Sequence, residues 1–557
     1  MTKRAVPVTR DGQDRQARWP AGPSIGRSAA LIGALTIAAR LLGLVRTLVF
    51  AKTVGATCLG TAYATANLVP NIVYDIVLGG ALTSIMVPVL ARPARQASRD
   101  GSGAAEVGQT SSALLTWTVA ILAPVSVLIA VMAGPVATLL APRNVHGGCA
   151  REQQALISVT GHLLAIFAPQ ILFYGLAVVL YGILQAHRRF AAPAVAPLIS
   201  SLVVITAYLI FDPFGADYVG RRLARLPLTA ELILAIGTTA GVAALVVVAL
   251  IPVWRLRIRL RPTFRFPAGV GRRVGGLAAY GIAALVTQDV AALVVVLLAN
   301  GHGAGGALVL YGYGWQVFEA CYAVLAISIA VSAFPVLSAH EGTEFDETAS
   351  GSARAVVLLS FVGTALLVGA AVPAAHLLAS NSRQVPQLAA AFALFALGLA
   401  GYGLVACLSR VLLAAGRTGL AAVIVAGGWV LVIAADLVLV TMFGPGPGVV
   451  SALALGNSIG LTISGLALIA AVRRVRGPVA LRGTVRAAIA GLAAATAGAG
   501  AGAGVSLVLP LDGPLADGFA GLLAVVCSLA AFGLVAWFLD GGDLRAALGR
   551  ARQAVTR

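Results

Sequence analysis

Charge is scarce in this chain. Asp, Glu, Lys and Arg make up 11% of its 557 residues, against 59% hydrophobic residues. The mean hydropathy is +0.95, too apolar for a water-soluble domain, whose surface has to be polar. Lysine is almost missing: apart from Lys3 and Lys52, every basic residue is arginine. With the heavy use of Ala, Gly and Val, this points to a GC-rich coding sequence more than to special chemistry. The five cysteines, Cys58, Cys149, Cys321, Cys407 and Cys527, have no paired spacing and read as inert apolar filling. No Gly-rich phosphate loop, His/Cys metal spacing or nucleophile elbow is present, so nothing in the sequence supports an enzyme. Short alternating segments are absent as well, which excludes a membrane β-barrel.

What is present is a series of long apolar runs. Fourteen candidate spans lie near 28–50, 60–90, 110–141, 155–185, 190–211, 229–253, 274–299, 306–338, 354–379, 386–413, 418–442, 448–472, 484–508 and 516–539. They match the roughly 20 apolar residues needed to cross a hydrocarbon core. The expected fold class is therefore an all-α polytopic membrane protein of 14 transmembrane helices. The chain is also duplicated. Tyr174-Gly175-Leu176, running through Leu180, Leu184, Ala186 and Arg189 to Ala194-Val195, recurs from Tyr402-Gly403-Leu404 to Ala422-Val423 at a constant offset of 228 residues. Pro88-Val89-Leu90 recurs as Pro335-Val336-Leu337 at an offset of 247. Two copies of one unit in a membrane are how many transporters build a central site between halves that rock against each other.

The net charge of +19 would suit nucleic acid, but its placement argues against that partner. With both termini cytoplasmic, 30 of the 39 Lys and Arg residues fall inside, seven fall outside, and Arg40 and Arg46 lie within the first span. That asymmetry is the positive-inside signature of a multi-pass protein with an even number of spans. Arg221, Arg222 and Arg225, in an outer loop, run against it. Residues 1–27 read as a disordered basic cytoplasmic tail, and Glu341–Glu347 as a solvated cytoplasmic turn.

Charges inside spans are costly, so each needs an account. Arg40 and Arg46 stand six residues apart, roughly 9 Å along a helix, and can border one wide cavity. Guanidinium groups fork onto phosphate oxygens, which suits an anionic headgroup; the alternative is a structural pairing of Arg40 with a carboxylate, with Asp75 of the second span as the candidate partner. The second span carries a polar stripe of Asn67, Asn71 and Tyr74 beside Asp75. The eighth, at the equivalent place in the second repeat, carries Tyr311, Trp315, Glu319 and Tyr322 with Gln316 adjacent. Two such stripes predict two walls of a central cavity; inter-helix hydrogen bonding is the other reading. Asp289 in the seventh span, with Asp75 and Glu319, is a candidate for ion coupling. His162, Gln170 and Asp436 are expected at satisfied packing positions, and Pro169 is expected to kink the fourth span.

Several segments together resemble the MurJ/MviN lipid II flippases of the multidrug/oligosaccharidyl-lipid/polysaccharide exporter superfamily. They are Arg40-Leu41-Leu42-Gly43-Leu44-Val45-Arg46, Pro70-Asn71, Gly79-Gly80-Ala81, Val87-Pro88-Val89-Leu90, and Gly182 to Phe190 followed by Pro193-Ala194-Val195-Ala196-Pro197. The resemblance covers roughly residues 28–540 and implies two pseudo-symmetric six-helix lobes plus two C-terminal helices. On that plan the N-lobe is 28–253, a basic linker 254–273, the C-lobe 274–472, a basic loop 473–483, the last two spans 484–539 and a cytoplasmic tail 540–557. It implies a flippase in a bacterial cytoplasmic membrane, moving a polyprenyl-pyrophosphate-linked peptidoglycan precursor by alternating access. No cofactor is implied; membrane potential or a cation would drive the cycle, and the cell-wall synthesis machinery is a candidate partner besides membrane lipids. Arg40 and Arg46 match the family's two first-helix arginines and Glu319 an acidic position of its eighth helix. Thr61, Tyr74 and Gln316 stand where the family usually has an acid and two arginines. That departure leaves two other readings: a cation-coupled exporter of a small molecule or other lipid-linked glycan, and a transport-inactive scaffold.

Overall fold

The computed structural model describes residues 23–76, 104–141, 149, 152–187, 189–219, 222–256, 258, 260–266, 270–509 and 513–556; at 23–34, 36–37, 270–283 and 540–556 it describes backbone alone. Residues 1–22 of the expected tail, most of the second half of span 60–90 with Pro88-Val89-Leu90, and Arg221 lie outside the described residues. Every regular element among the described residues is helical. The first half of the chain folds as α1 (Pro23–Thr53), α2 (Cys58–Asp75), α3 (Ala104–Val131), α4 (Ala133–Leu140), α5 (Gln153–Phe167), α6 (Pro169–Ala186), α7 (Ala191–Gly215) and α8 (Leu228–Trp254). The second half folds as α9 (Val270–His302), α10 (Ala307–Tyr322), α11 (Ser328–Ala339), α12 (Gly342–Gly369), α13 (Ala371–Leu378), α14 (Val385–Ala414), α15 (Thr418–Phe443) and α16 (Gly448–Arg476). Two further helices, α17 (Thr484–Val508) and α18 (Pro514–Thr556), complete the bundle. Twelve helical stretches are long and apolar enough to cross a membrane among the described residues; α1 and the truncated α2 correspond to the remaining two expected spans.

The duplication is visible in the packing. In the N-lobe α1 packs on α7, α3 and α8 on α6, and α7 on α8; in the C-lobe α9 packs on α15, α12 and α16 on α14, and α15 on α16. Even a local break repeats. The third span of each lobe is interrupted near one end, at Met132 (φ −86°, ψ 7°) and Ala370 (φ −100°, ψ 9°). Pro169 interrupts the fourth span between α5 and α6, and Ser126 donates to the Ala168 carbonyl at the break. The eighth span has no counterpart break in sequence, yet α10 and α11 are joined by a π-helical turn, Ala323–Ile327.

Without a hydrophobic drive between helices in lipid, close backbone approach and buried hydrogen bonds hold such a bundle. A methyl group at Gly401 would lie 2.5 Å from Thr462 Cα, so α14 and α16 touch backbone to backbone. On the side away from the N-lobe, α17 and α18 pack on α12 and α13 through Gly369, Gly502 and Ser528. The acidic segment Glu341–Glu347 is not a turn: it opens α12, and Asp346 pairs with Arg476 at 3.0 Å while that guanidinium lies over the Phe345 ring.

Two cysteines are not inert. Cys58, at the start of α2, forms a disulfide with Cys149 across a sequence separation of 91 residues. The pairing escapes a reading by spacing because the two residues meet only where the α1–α2 and α4–α5 connections converge. This end of the bundle is the disulfide end; the opposite end, where α8 and α16 finish in arginines, is the basic end. Cys321, Cys407 and Cys527 are free thiols.

Alkylation of the denatured protein should therefore modify the three free cysteines before reduction and all five after it. Cys58→Ser with Cys149→Ser should cost about 2–4 kcal/mol of stability, read as a lower thermal midpoint in detergent.

Candidate functional site

The lobes enclose a cavity of about 480 Å³ midway between the two ends. Its N-lobe wall comes from α1, α2, α6, α7 and α8, and its C-lobe wall from α9, α10, α15 and α16. On α2, Asn67, Asn71 and Asp75 follow one another at helical spacing of four and all line the space. On α10, Tyr311, Trp315 and Gln316 line the opposite wall. Two facing polar stripes do build the cavity, but not with all the residues expected of them.

Tyr74 turns aside. Its ring packs against Tyr174 at 4.5 Å between centroids and joins the buried cluster of the N-lobe. Tyr322 does not line the cavity either: it is buried and stacked on Tyr402 at 3.9 Å, within an aromatic group that includes Phe318 and Trp315. Glu319 is half-buried one turn below the enclosed space, toward the basic end. Gln316 lines the cavity, but its amide is committed to the other lobe. Thr47 Oγ1 donates to Gln316 Oε1 at 2.6 Å, and Gln316 Nε2 donates to the Gly43 carbonyl at 3.3 Å.

Arg46 lines the cavity among phenol groups, within electrostatic reach of Tyr63, Tyr174 and Tyr208. Arg40 is exposed below it and interacts through space with Glu319 and Tyr74, so it faces the cleft between lobes. The ion pairs among the described residues are His162–Glu231, His340–Glu344 and Arg476–Asp346. The alternative pairing of Arg40 with Asp75 is therefore not formed. Asp75 is close enough to feel both Glu319 and Asp289, and Asp289 is buried with Oδ2 lacking a hydrogen-bond partner.

Sequence reasoning missed several lining residues. Tyr63 hydroxyl bridges Tyr208 at 2.8 Å and Thr238 at 3.1 Å, closing the cavity toward the disulfide end. These three sit singly in apolar runs on three helices, which leaves no local signal. Asp436 was expected to be satisfied; it is fully buried and both carboxylate oxygens lack partners, close to Tyr311. His162 meets Glu231 at 3.1 Å, but its side chain is exposed, so it is partnered without being the packing position expected, while the buried Gln170 bonds Thr239 through its nitrogen only.

At the disulfide end the lobes are latched. Ser380 Oγ accepts from the Ala56 N–H at 2.7 Å, and Gln384 Nε2 donates to the Ala56 carbonyl at 2.8 Å. Gln384 Oε1 in turn accepts from the Ser380 N–H at 3.0 Å, so the clamp holds itself in shape. Asn300 on α9 donates to Thr65 Oγ1 at 2.9 Å and to the Leu140 carbonyl at 2.8 Å, tying a C-lobe helix to two N-lobe helices. The disulfide sits beside this latch: a methyl group at Gly305 would lie 3.0 Å from Cys149 Sγ.

The comparisons agree with this architecture. The family model described as lipid II flippase MurJ matches residues 50–509. A probable lipid II flippase MurJ of Synechocystis sp. is 28% identical over 251 residues, 44% of this chain and 43% of that protein. One from Rhizobium meliloti is 25% identical over 399 residues, 69% of each. The matched region spans less than half the length of the Synechocystis relative. Among solved structures, a lipid II flippase MurJ in an inward closed conformation superposes with a TM-score of 0.69 at 17% identity, over 91% of this chain and 98% of that one. An inward-facing multidrug resistance MATE family transporter superposes with a TM-score of 0.62 at 11% identity, over 78% and 94%. These likenesses establish the fold.

The latch makes its own forecast. Ser380→Ala with Gln384→Ala removes both side chains that hold Ala56, two hydrogen bonds worth about 0.5–1.5 kcal/mol each. A cysteine placed at Asn67 should then react faster with a bulky membrane-impermeant thiol reagent applied at the disulfide end, by about tenfold. An unchanged labelling rate would mean that the latch does not hold this end closed.

Proposed function

Because the chain belongs to the lipid II flippase MurJ family, we propose that it carries a lipid-linked peptidoglycan precursor from the inner to the outer leaflet of a bacterial cytoplasmic membrane. The observation that carries this reading is the pair Arg40 and Arg46. Two permanently charged groups face the space between lobes with no carboxylate pairing either of them among the described residues. A cation placed there without a carboxylate in contact is free to take an anionic ligand, and forked donors suit a pyrophosphate. The headgroup enters from the basic end, Asn67 and Asn71 offer amide contacts, and the lobes then rock to release it at the disulfide end. Asp75 lies within electrostatic reach of both Glu319 and Asp289, so a proton or cation taken up beside it would offset negative charge there and couple to the motion.

The basic end is cytoplasmic in this reading and both termini lie there. The 30-to-7 split of basic residues supports it. The disulfide at the opposite end supports it independently, because such bonds persist where the surroundings are oxidising. Pro445→Cys should label from outside intact cells, and Thr2→Cys only after lysis.

A second reading, export of a small molecule, is favoured by the cavity itself. About 480 Å³ holds a drug-sized ligand, whereas a lipid-linked glycan requires the lobes to part. Complementation of a strain depleted of its own lipid II flippase separates the two. Arg46→Ala and Arg40→Ala should each lower transport about 10- to 100-fold, the loss of a charge-assisted contact of roughly 1.5–3 kcal/mol, with the thermal midpoint unchanged. Lysine at either place should restore only part of it, since a point charge does not fork onto two oxygens. Failure of the wild-type chain to complement leaves the small-molecule exporter, and full complementation by both alanine variants would remove the arginines from the flippase reading.

A further inference from the structure

The segment that leaves the N-lobe after α8 is built as a strap and not as a loose connection. Its sequence alternates, with Arg255, Arg257, Arg259 and Arg261 interleaved with Leu256, Ile258 and Leu260. Leu256 and Ile258 pack into the buried cluster of the N-lobe. Arg255, Arg261 and Arg265 are exposed, and none of them belongs to an ion pair among the described residues. Four side chains of α3 hold the strap by its backbone. Ser112 Oγ accepts from the Arg261 N–H at 2.9 Å and Thr116 Oγ1 from the Thr263 N–H at 3.1 Å. Trp117 Nε1 donates to the Phe264 carbonyl at 3.1 Å, and Gln109 Nε2 to the Arg265 carbonyl at 3.3 Å. Because the bonds go to main-chain atoms, they leave the Arg261 and Arg265 side chains uncommitted.

Depth follows from helix geometry. The third span runs from Ala104 through Leu140; counting about 20 residues, or 30 Å, back from Leu140 crosses the hydrocarbon core and ends near residue 120. Gln109 to Trp117, and the strap across them, therefore lie level with the headgroups at the basic end. The exposed aromatics agree. Trp254 is 82% exposed and Trp117 40%, amphipathic indoles of the kind that belong at a membrane interface, and the apolar Phe264 ring beside Trp117 is 58% exposed. Trp117 meets Phe264 edge-on at 5.3 Å, so two of these rings form one platform.

We propose that the strap, residues 254–266, binds the headgroups of anionic phospholipids in the leaflet at the basic end. Arg255, Arg261 and Arg265 take the phosphate oxygens while Trp117, Trp254 and Phe264 seat in the interface. A lipid is the occupant because the charges stand at the hydrocarbon edge between exposed rings, where a phosphate attached to acyl chains satisfies both kinds of group at once. The site is separate from the central cavity and holds whatever substrate that cavity carries.

The test is native mass spectrometry of the full-length protein in detergent, with phosphatidylglycerol and phosphatidylcholine of identical acyl chains as probes. The wild-type chain should retain phosphatidylglycerol about fivefold or more in preference. Arg255→Gln/Arg261→Gln/Arg265→Gln should bring both lipids to one level, while Arg473→Gln/Arg474→Gln, elsewhere at the basic end, should leave the preference intact. No preference in the wild type, or a wild-type preference in the triple variant, overturns the proposal. If the triple variant proves unstable on thermal unfolding, Ser112→Ala/Thr116→Val keeps every charge and frees the strap. Its preference should fall by about half or more, and an unchanged value overturns the proposal as well.

Discussion

Both main-chain groups of Ala56 are held by side chains of the opposite lobe, and most of what distinguishes the two ends of this molecule depends on that clamp. Each lobe is a packing of six spans, and one buried apolar cluster runs through both, from Phe50, Tyr63 and Phe167 to Tyr313, Phe318 and Phe395. Besides that apolar contact, polar bonds join the lobes: Ser380 and Gln384 on Ala56, Asn300 on Thr65 and Leu140, Gln316 on Thr47. Polar contacts of this kind are individually small and exchange readily for water. They suit an interface that has to open, whereas the glycine-lined contact of α14 with α16 suits one that does not.

The architecture was legible to the extent that it rests on periodicity and length. Apolar runs, the recurrence of Tyr174 and Tyr402 with their following residues, and the paired breaks at Met132 and Ala370 all express one duplicated unit. The polar stripe on α2 was legible in part: Asn67 and Asn71 line the cavity with Asp75 a turn further on, while Tyr74, expected in the stripe, packs against Tyr174 instead. On α10 the same reasoning carried too far. Tyr311, Trp315, Glu319 and Tyr322 share a stripe, yet a ring as large as that of Tyr322 finds more contact against Tyr402 than across an open space. Whether an aromatic stripe faces a cavity or a neighbour depends on the partner helix, which local sequence does not encode.

Long-range pairings were illegible altogether. Cys58 and Cys149, Tyr63 and Tyr208 with Thr238, and Gln316 with Thr47 come from separate helices. The place of Gln316 is instructive. Where the resemblance leads one to expect an arginine, the shorter neutral amide is tied to α1 by two hydrogen bonds. An arginine at that position would present positive charge where this chain has a cross-lobe strut. Cationic character in the cavity is therefore concentrated on α1, in Arg40 and Arg46.

The π-helical turn at Ala323–Ile327 has a consequence for how this protein tolerates change in length. A π turn holds one residue more than the α-helix it interrupts, so the side chains beyond it are rotated by about 100° relative to an unbroken helix. The face that α10 offers the cavity is thereby not the face that α11 continues. Loss of a single residue from this stretch would restore an ordinary helix and swing all of Ser328–Ala339 to a new side. In this one span, the count of residues is as much a determinant of the transport path as their identity, and a deletion there is a rewiring where a substitution is a perturbation.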